Sequence, residues 1–89
     1  MARLVFTQQL TRFTEAPEVE TTAATLREAL EAAFRLNPRL RAYVLDEQGH
    51  LRTHIAIFID GQRVRDRVHL QDALQADSRV YVLQALSGG

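Results

Sequence analysis

Residues 25–38 constrain the fold more than any other stretch of this chain. Thr25 stands before Leu26 and three residues before Glu28, the spacing at which a hydroxyl and a carboxylate satisfy each other's free backbone amides at a helix start. Leu26, Ala29, Leu30, Ala33 and Phe34 then recur three and four apart as one apolar stripe, with Arg27, Glu28, Glu31 and Arg35 on the wet side. Asn37-Pro38 ends the helix, because proline has no amide to donate and crowds the turn before it. A helix with one such stripe must lay it on another layer. The flanking sequence supplies strands for that layer.

Leu4, Val5 and Phe6 form a short β-favouring run continued by Thr7, and Pro17 precedes a second candidate strand at Val19–Thr21, giving a loose N-terminal hairpin. After the helix, a short helical turn is expected around Leu40 and Tyr43, then an extended stretch through Leu45 and a turn at Glu47-Gln48-Gly49. Ile55–Ile59 is apolar at every position, which suits a strand covered on both faces or one with a binding patch outside, and predicts the sheet centre. Asp60-Gly61 is a tight-turn dipeptide leading to a brief strand near Arg63 and Val64. Residues 65–76 are polar, with Val68, Leu70 and Leu74 as anchors, and Val80–Ala85 is the last strand. One long helix among these strands predicts an α+β fold of the β-grasp kind: a mixed sheet of four to five strands with one main helix packed across one face. A ferredoxin-like split fold would need a second full helix between Gly61 and Arg79, where the apolar stripe is weak. With 89 residues there is room for one such domain, expected over 1–86, followed by a flexible Ser-Gly-Gly tail at 87–89.

The same sequence excludes several kinds of chemistry. Eleven basic and eleven acidic residues cancel, so no cationic excess points to nucleic acid. There is no Cys, hence no disulfide framework, thiolate metal site or thiol nucleophile. His50, His54 and His69 share no ligand spacing, so no metal is expected. The glycines, at 49, 61, 88 and 89, build no phosphate-cradling loop, and Ser78 and Ser87 sit in a turn and a tail rather than a nucleophile elbow. Met1–Leu10 has no apolar stretch long enough for a signal peptide, and the expectation is a cytoplasmic protein without a membrane partner, monomeric when free.

The end of the chain is what remains. Gly88-Gly89 is a thin, side-chain-free strip that can pass along a narrow enzyme tunnel and present its α-carboxylate to a nucleotide. A free carboxylate is a poor electrophile, so chemistry there calls for an external adenylating enzyme, after which sulfide or a thiol attacks Gly89. The plain alternative is an unconstrained, inert tail. All eleven cations are Arg, which either follows codon bias or keeps side-chain amines away from an activated end.

Val80-Tyr81-Val82-Leu83-Gln84-Ala85-Leu86-Ser87-Gly88-Gly89, preceded by Leu51-Arg52-Thr53-His54-Ile55-Ala56-Ile57-Phe58-Ile59-Asp60-Gly61, resembles the MoaD/ThiS ubiquitin-like sulfur-carrier family. The likeness runs from Phe6-Thr7-Gln8 through the capped helix to the terminus and is nearest to the CysO-like and MoaD-like branch. It implies a β-grasp fold, a thiocarboxylate on Gly89, a partner adenylating or sulfurtransferase enzyme that uses ATP and a sulfur source, and a downstream sulfur-accepting enzyme. The chain itself is then no enzyme and binds no cofactor.

The resemblance also implies that the sheet surface away from the helix meets the partner. If Val80 and Val82 face the core, alternation puts Tyr81 and Leu83 outside, where Phe6 and Phe58 would join them. The alternative is that some of these side chains, Phe58 first, are core. Molybdopterin-synthase small subunits carry an apolar contact where Arg63 stands, a departure that weakens that assignment and leaves Arg63 and Arg79 to pair with partner acids. Three functions follow in order: a sulfur carrier, a ubiquitin-related modifier joined through Gly89 to lysines, and a noncovalent binding module.

Overall fold

The computed structural model describes residues 1–6 and 18–84. The expected connection through Thr7, Gln8 and Pro17 and the tail with Gly88 and Gly89 lie outside the described residues. Among the described residues seven elements follow in chain order: β1 (Ala2–Phe6), β2 (Val19–Thr21), α1 (Leu26–Leu36), α2 (Arg39–Val44), β3 (Ile55–Ile59), β4 (Gln62–Arg63) and β5 (Arg79–Gln84). The strands form one mixed sheet in the order β2-β1-β5-β3-β4.

Register follows from the apolar alternation. Leu4 lies opposite Val19 on β2 and Val80 on β5, and Phe6 lies opposite Val82. Ile57 and Ile59 on β3 face Val82 and Val80. The pair β1–β5 is parallel and the other pairs are antiparallel, the mixed β-grasp arrangement. The sheet centre is β5 rather than β3, which corrects the expectation drawn from the uniformly apolar Ile55–Ile59. A long-range parallel pairing between the first and last strands decides this, and no local pattern on β3 carries it.

Helix α1 begins where the spacing predicts: the Thr25 hydroxyl accepts the Glu28 amide at 3.3 Å, and at the other end the Asn37 amide returns to the Ala33 carbonyl at 3.0 Å. Its five stripe residues are all buried, and Leu26, Leu30, Ala33 and Phe34 join Leu4, Ile55, Ile57, Val80 and Val82 in one core. The short helix α2 adds Leu40 and Val44 to that core. Each such side chain contributes roughly 1.5–3 kcal/mol by leaving water. Arg41 lies over the Phe34 ring, 5.0 Å from its centroid, while pairing with Glu31, and so closes the rim between the two helices.

The polar connection after β4 departs from its expected anchoring. Leu70 is fully buried in the left-handed region at φ +57, a conformation most residues avoid, whereas Val68 is exposed and Leu74 half-buried. The Asp66 carboxylate explains the bend: its Oδ1 accepts the amides of Val68 and His69 at 3.2 and 2.9 Å. Among the described residues no helix is long and apolar enough to cross a membrane.

Candidate functional site

Alternation divides the strands into a core face and an open face. On β5 the residues that alternate with buried Val80 and Val82 are Arg79, Tyr81 and Leu83; on β3 they are Ala56 and Phe58; on β1, Arg3 and Val5. The register then aligns them. Val5 lies opposite Tyr81, Tyr81 opposite Phe58, and Phe58 opposite Arg63, one row across four strands. Leu83 lies opposite Ala56 in the next row. Tyr81 is 40% exposed, and Val5, Phe58 and Leu83 are half-buried, so the row is apolar and reachable.

Five of the six residues expected on this face, Phe58, Arg63, Arg79, Tyr81 and Leu83, share it. Phe6 does not. It is 6% exposed and packs in the core with Leu4, and Val5 takes the outward position instead. The reason was readable: Arg3 is charged and three positions away, so a strand that points Arg3 to solvent must point Phe6 inward.

Charge surrounds the row unevenly. Arg3 is held by Glu18 at 3.1 Å and Glu20 at 2.8 Å, and the hydrogen bond to Glu20, followed by the Glu18 charge, keeps its guanidinium more firmly protonated than a free arginine. Among the described residues neither Arg63 nor Arg79 has a carboxylate at salt-bridge distance. The open face therefore presents an apolar row with cations at its β4 side and at its lower end.

The β3–β4 turn is fixed to the start of β5 by Asp60. Its Oδ1 accepts the Arg79 amide at 2.9 Å, its Oδ2 accepts the Ser78 hydroxyl at 2.9 Å, and its own amide donates to the Arg79 carbonyl at 2.9 Å. Asp60 and Gly61 both have positive φ, 51 and 84, the pair of conformations that matches strand twist in a two-residue hairpin. The Arg79 amide first, and the Ser78 hydroxyl next, hold the Asp60 carboxyl below its ordinary range. Ser78 is thus committed to structure, with Gln75 donating to its Oγ at 2.8 Å.

Sequence reasoning missed Arg27, which it assigned to the solvent side of α1. Arg27 Nε donates to the His69 carbonyl at 3.0 Å, and its Nη2 to the carbonyls of Gly49 and Val68 at 2.9 and 3.0 Å. One rigid fork thereby ties two distant loops to the helix. Arg67 does the same for the carbonyls of Arg52 and Ile55, at 2.5 and 2.8 Å. No local signal separates such an arginine from a solvated one. Among the described residues no three His, Asp or Glu side chains are grouped to hold a metal. Gly88 and Gly89 lie outside the described residues, the last of which, Gln84, is opposite Ile55 at the end of β5.

Known proteins agree with this geometry. Residues 4–89 match the ThiS family. No curated protein matches the chain as a relative. Among solved structures, the BexX/CysO complex of Amycolatopsis orientalis contains a chain 20% identical, with a TM-score of 0.81 and 100% of both chains covered. SAMP1 of Haloferax volcanii is 23% identical, with a TM-score of 0.76 over 99% of this chain and 98% of its own. The small archaeal modifier protein SAMP1 of Methanosarcina acetivorans is 22% identical, with a TM-score of 0.75 over 99% and 95%. At these identities the structural likeness establishes the fold.

Proposed function

The chain belongs to the ThiS family, and from that premise we propose that it is a sulfur carrier whose C-terminal Gly89 is activated by a partner enzyme. Family membership makes it a ubiquitin-like carrier or modifier; the sulfur chemistry and its site are our reading. The Gly89 carboxylate attacks the α-phosphorus of ATP, pyrophosphate leaves, and an acyl-adenylate forms. Sulfide then attacks the acyl carbon and AMP leaves, giving a thiocarboxylate that donates sulfur in a biosynthetic pathway. The protein is the substrate in these steps. Side chains at positions 88 and 89 would obstruct a narrow tunnel, and glycine offers none.

The observation that carries this reading is the family match itself, which runs through Gly88 and Gly89. The open face supports the docking half. Tyr81, Phe58 and Leu83 supply apolar contact, joined by Val5, and Arg63 and Arg79 select an acidic rim on the activating enzyme. The CysO protein of similar fold is found in a complex with BexX, which supports a carrier that works while docked on another protein.

Intact-mass measurement after incubation with the host's adenylating enzyme, ATP and sulfide tests the proposal. The expected result is the increase for one oxygen replaced by sulfur, absent when Gly88-Gly89 is deleted or a residue is appended after Gly89. An unchanged mass with an active enzyme overturns it. The likeness to small archaeal modifier proteins favours a second reading, conjugation through Gly89 to lysines. Gly89-dependent adducts on other proteins would identify it, and the lysine-free sequence would keep side-chain self-linkage out of that pattern.

A further inference from the structure

A groove of about 1010 Å³ runs beside the edge of β4, lined by Arg63–Arg65 and Asp60 on one side and by Asp72, Ala73 and Gln75 on the other. The groove reaches Ile59, whereas β5 ends opposite Ile55, about 13 Å away along an extended strand. Its size is at the upper end for a small-molecule pocket and suits a stretch of polypeptide.

Both walls carry backbone groups that point out of the fold's own bonding. On β4, Val64 donates its amide to the Ile57 carbonyl at 2.8 Å, and Arg63 is registered on Phe58. In an antiparallel pair the next residue turns its N–H and C=O the other way, so Arg63 directs both to the unpaired edge. Across the groove, the Leu26 amide takes the Asp72 carbonyl at 2.9 Å and the Leu74 amide takes the Ala24 carbonyl at 2.8 Å. Ala73 lies between these bonds, bridged to Thr25, and by the same alternation turns its own amide groups away from Thr25.

The side chains add polarity with direction. Arg63 and Arg65 are exposed and, among the described residues, have no carboxylate at salt-bridge distance. On the opposite wall Asp72 Oδ1 is buried and has no hydrogen-bond partner among the described residues. A buried acceptor without a donor is costly, so a basic group that reaches this carboxylate is favoured there. A two-residue edge strand flanked by arginines also resists indiscriminate pairing, so only a segment of matching charge gains from adding to it.

We propose that this groove binds an extended peptide segment of a partner protein, added to the β4 edge, with an acidic residue on Arg63 and Arg65 and a basic residue donating to Asp72. Main-chain bonds to Arg63 give the segment its register, and the two charge contacts on opposite walls fix its direction. The groove shares Arg63 with the proposed enzyme-docking face, so a bound segment and the activating enzyme would compete for that arginine.

The amide NMR spectrum of the full chain tests this with a blocked synthetic peptide of β-favouring residues bearing glutamates and an arginine. Saturable shifts confined to residues 62–65 and 72–75 are expected. Arg63→Glu combined with Arg65→Glu should weaken binding about tenfold or more, as should lysines in place of the peptide's glutamates. Asp72→Asn should weaken the arginine-bearing peptide and leave an arginine-free version unchanged. The dispersion of each variant's spectrum reports that it still folds. Removing Gly88-Gly89 should leave peptide binding intact while ending thiocarboxylate formation, so the two proposals fail separately. The inference is overturned if no saturable shifts occur, if they fall on Tyr81 and Phe58, or if the lysine peptide binds equally. Concentration-dependent broadening of the same amides without peptide would assign the groove to a second copy and also overturn it.

Discussion

The two faces of the sheet are built from the same strands and have opposite characters. Under the helices, Leu4, Ile57, Val80 and Val82 are essentially inaccessible and interlock with Leu30 and Phe34. On the other side Val5, Tyr81, Phe58 and Leu83 hold apolar surface that, among the described residues, no helix stripe covers, bordered by arginines. A sheet that needed only to fold would carry polar residues there. The contrast teaches that stability has been concentrated on one face, leaving apolar surface exposed on the other.

Five substitutions break or sharpen that contrast. Leu30→Ala, on the closed face, should cost about 2–5 kcal/mol in chemical denaturation, because its packed neighbours cannot collapse into the space. Arg27→Lys keeps the charge but not the fork, leaves loop carbonyls without donors, and should cost about 1–3 kcal/mol. A loss well under this range would mean that water replaces the fork.

Tyr81→Ala, at the middle of the open row, should cost at most about 1 kcal/mol of stability, the scale of one cross-strand pair. Its affinity for the proposed activating enzyme should nevertheless fall by about 2 kcal/mol, read by calorimetric titration. Equal losses in folding and binding would refute the division of labour between faces. Phe6→Ala should invert the pattern, lowering stability far more than it touches the partner contact, since Phe6 is core.

The smallest effect concerns acid. Asp60, Asp46 and Asp66 each have a carboxyl lowered from the ordinary value, by backbone amides first: that of Arg79 for Asp60, of His50 for Asp46 and of His69 for Asp66. A carboxyl that titrates lower when folded stabilises the fold above its unfolded value of about 3.9 and loses that contribution as pH falls through the folded value. Asp60→Asn should therefore be less stable than the parent at neutral pH, with the gap narrowing as the pH drops below about 4. A constant gap across an acid denaturation series would show that the Asp60 contacts do not depend on its charge.

How far these regions were legible differs with the range of the interactions. The capped helix, its stripe, the Asp60-Gly61 turn and the strand positions are written in neighbouring residues, and each was found where the spacing put it. The open face was legible wherever alternation could be anchored: Val80 and Val82 inward gave Tyr81 and Leu83 outward. Phe6 was misassigned because its aromatic character was weighed above the parity set by Arg3. Arg27, Leu70 and the groove beside β4 had no comparable signal, for each depends on segments far apart in the chain.

By itself, the sequence determined which residues could form each element, which stripe must be buried, and that positions 88 and 89 carry no side chains. These are properties of spacing and covalent chemistry, complete within a few residues. Only the tertiary structure decided that β5 lies at the centre, that Val5 rather than Phe6 faces outward, and that Arg63 and Asp72 line one groove. Strand order and facing walls arise when a long-range pairing excludes its competitors, and that choice is made by the whole core at once.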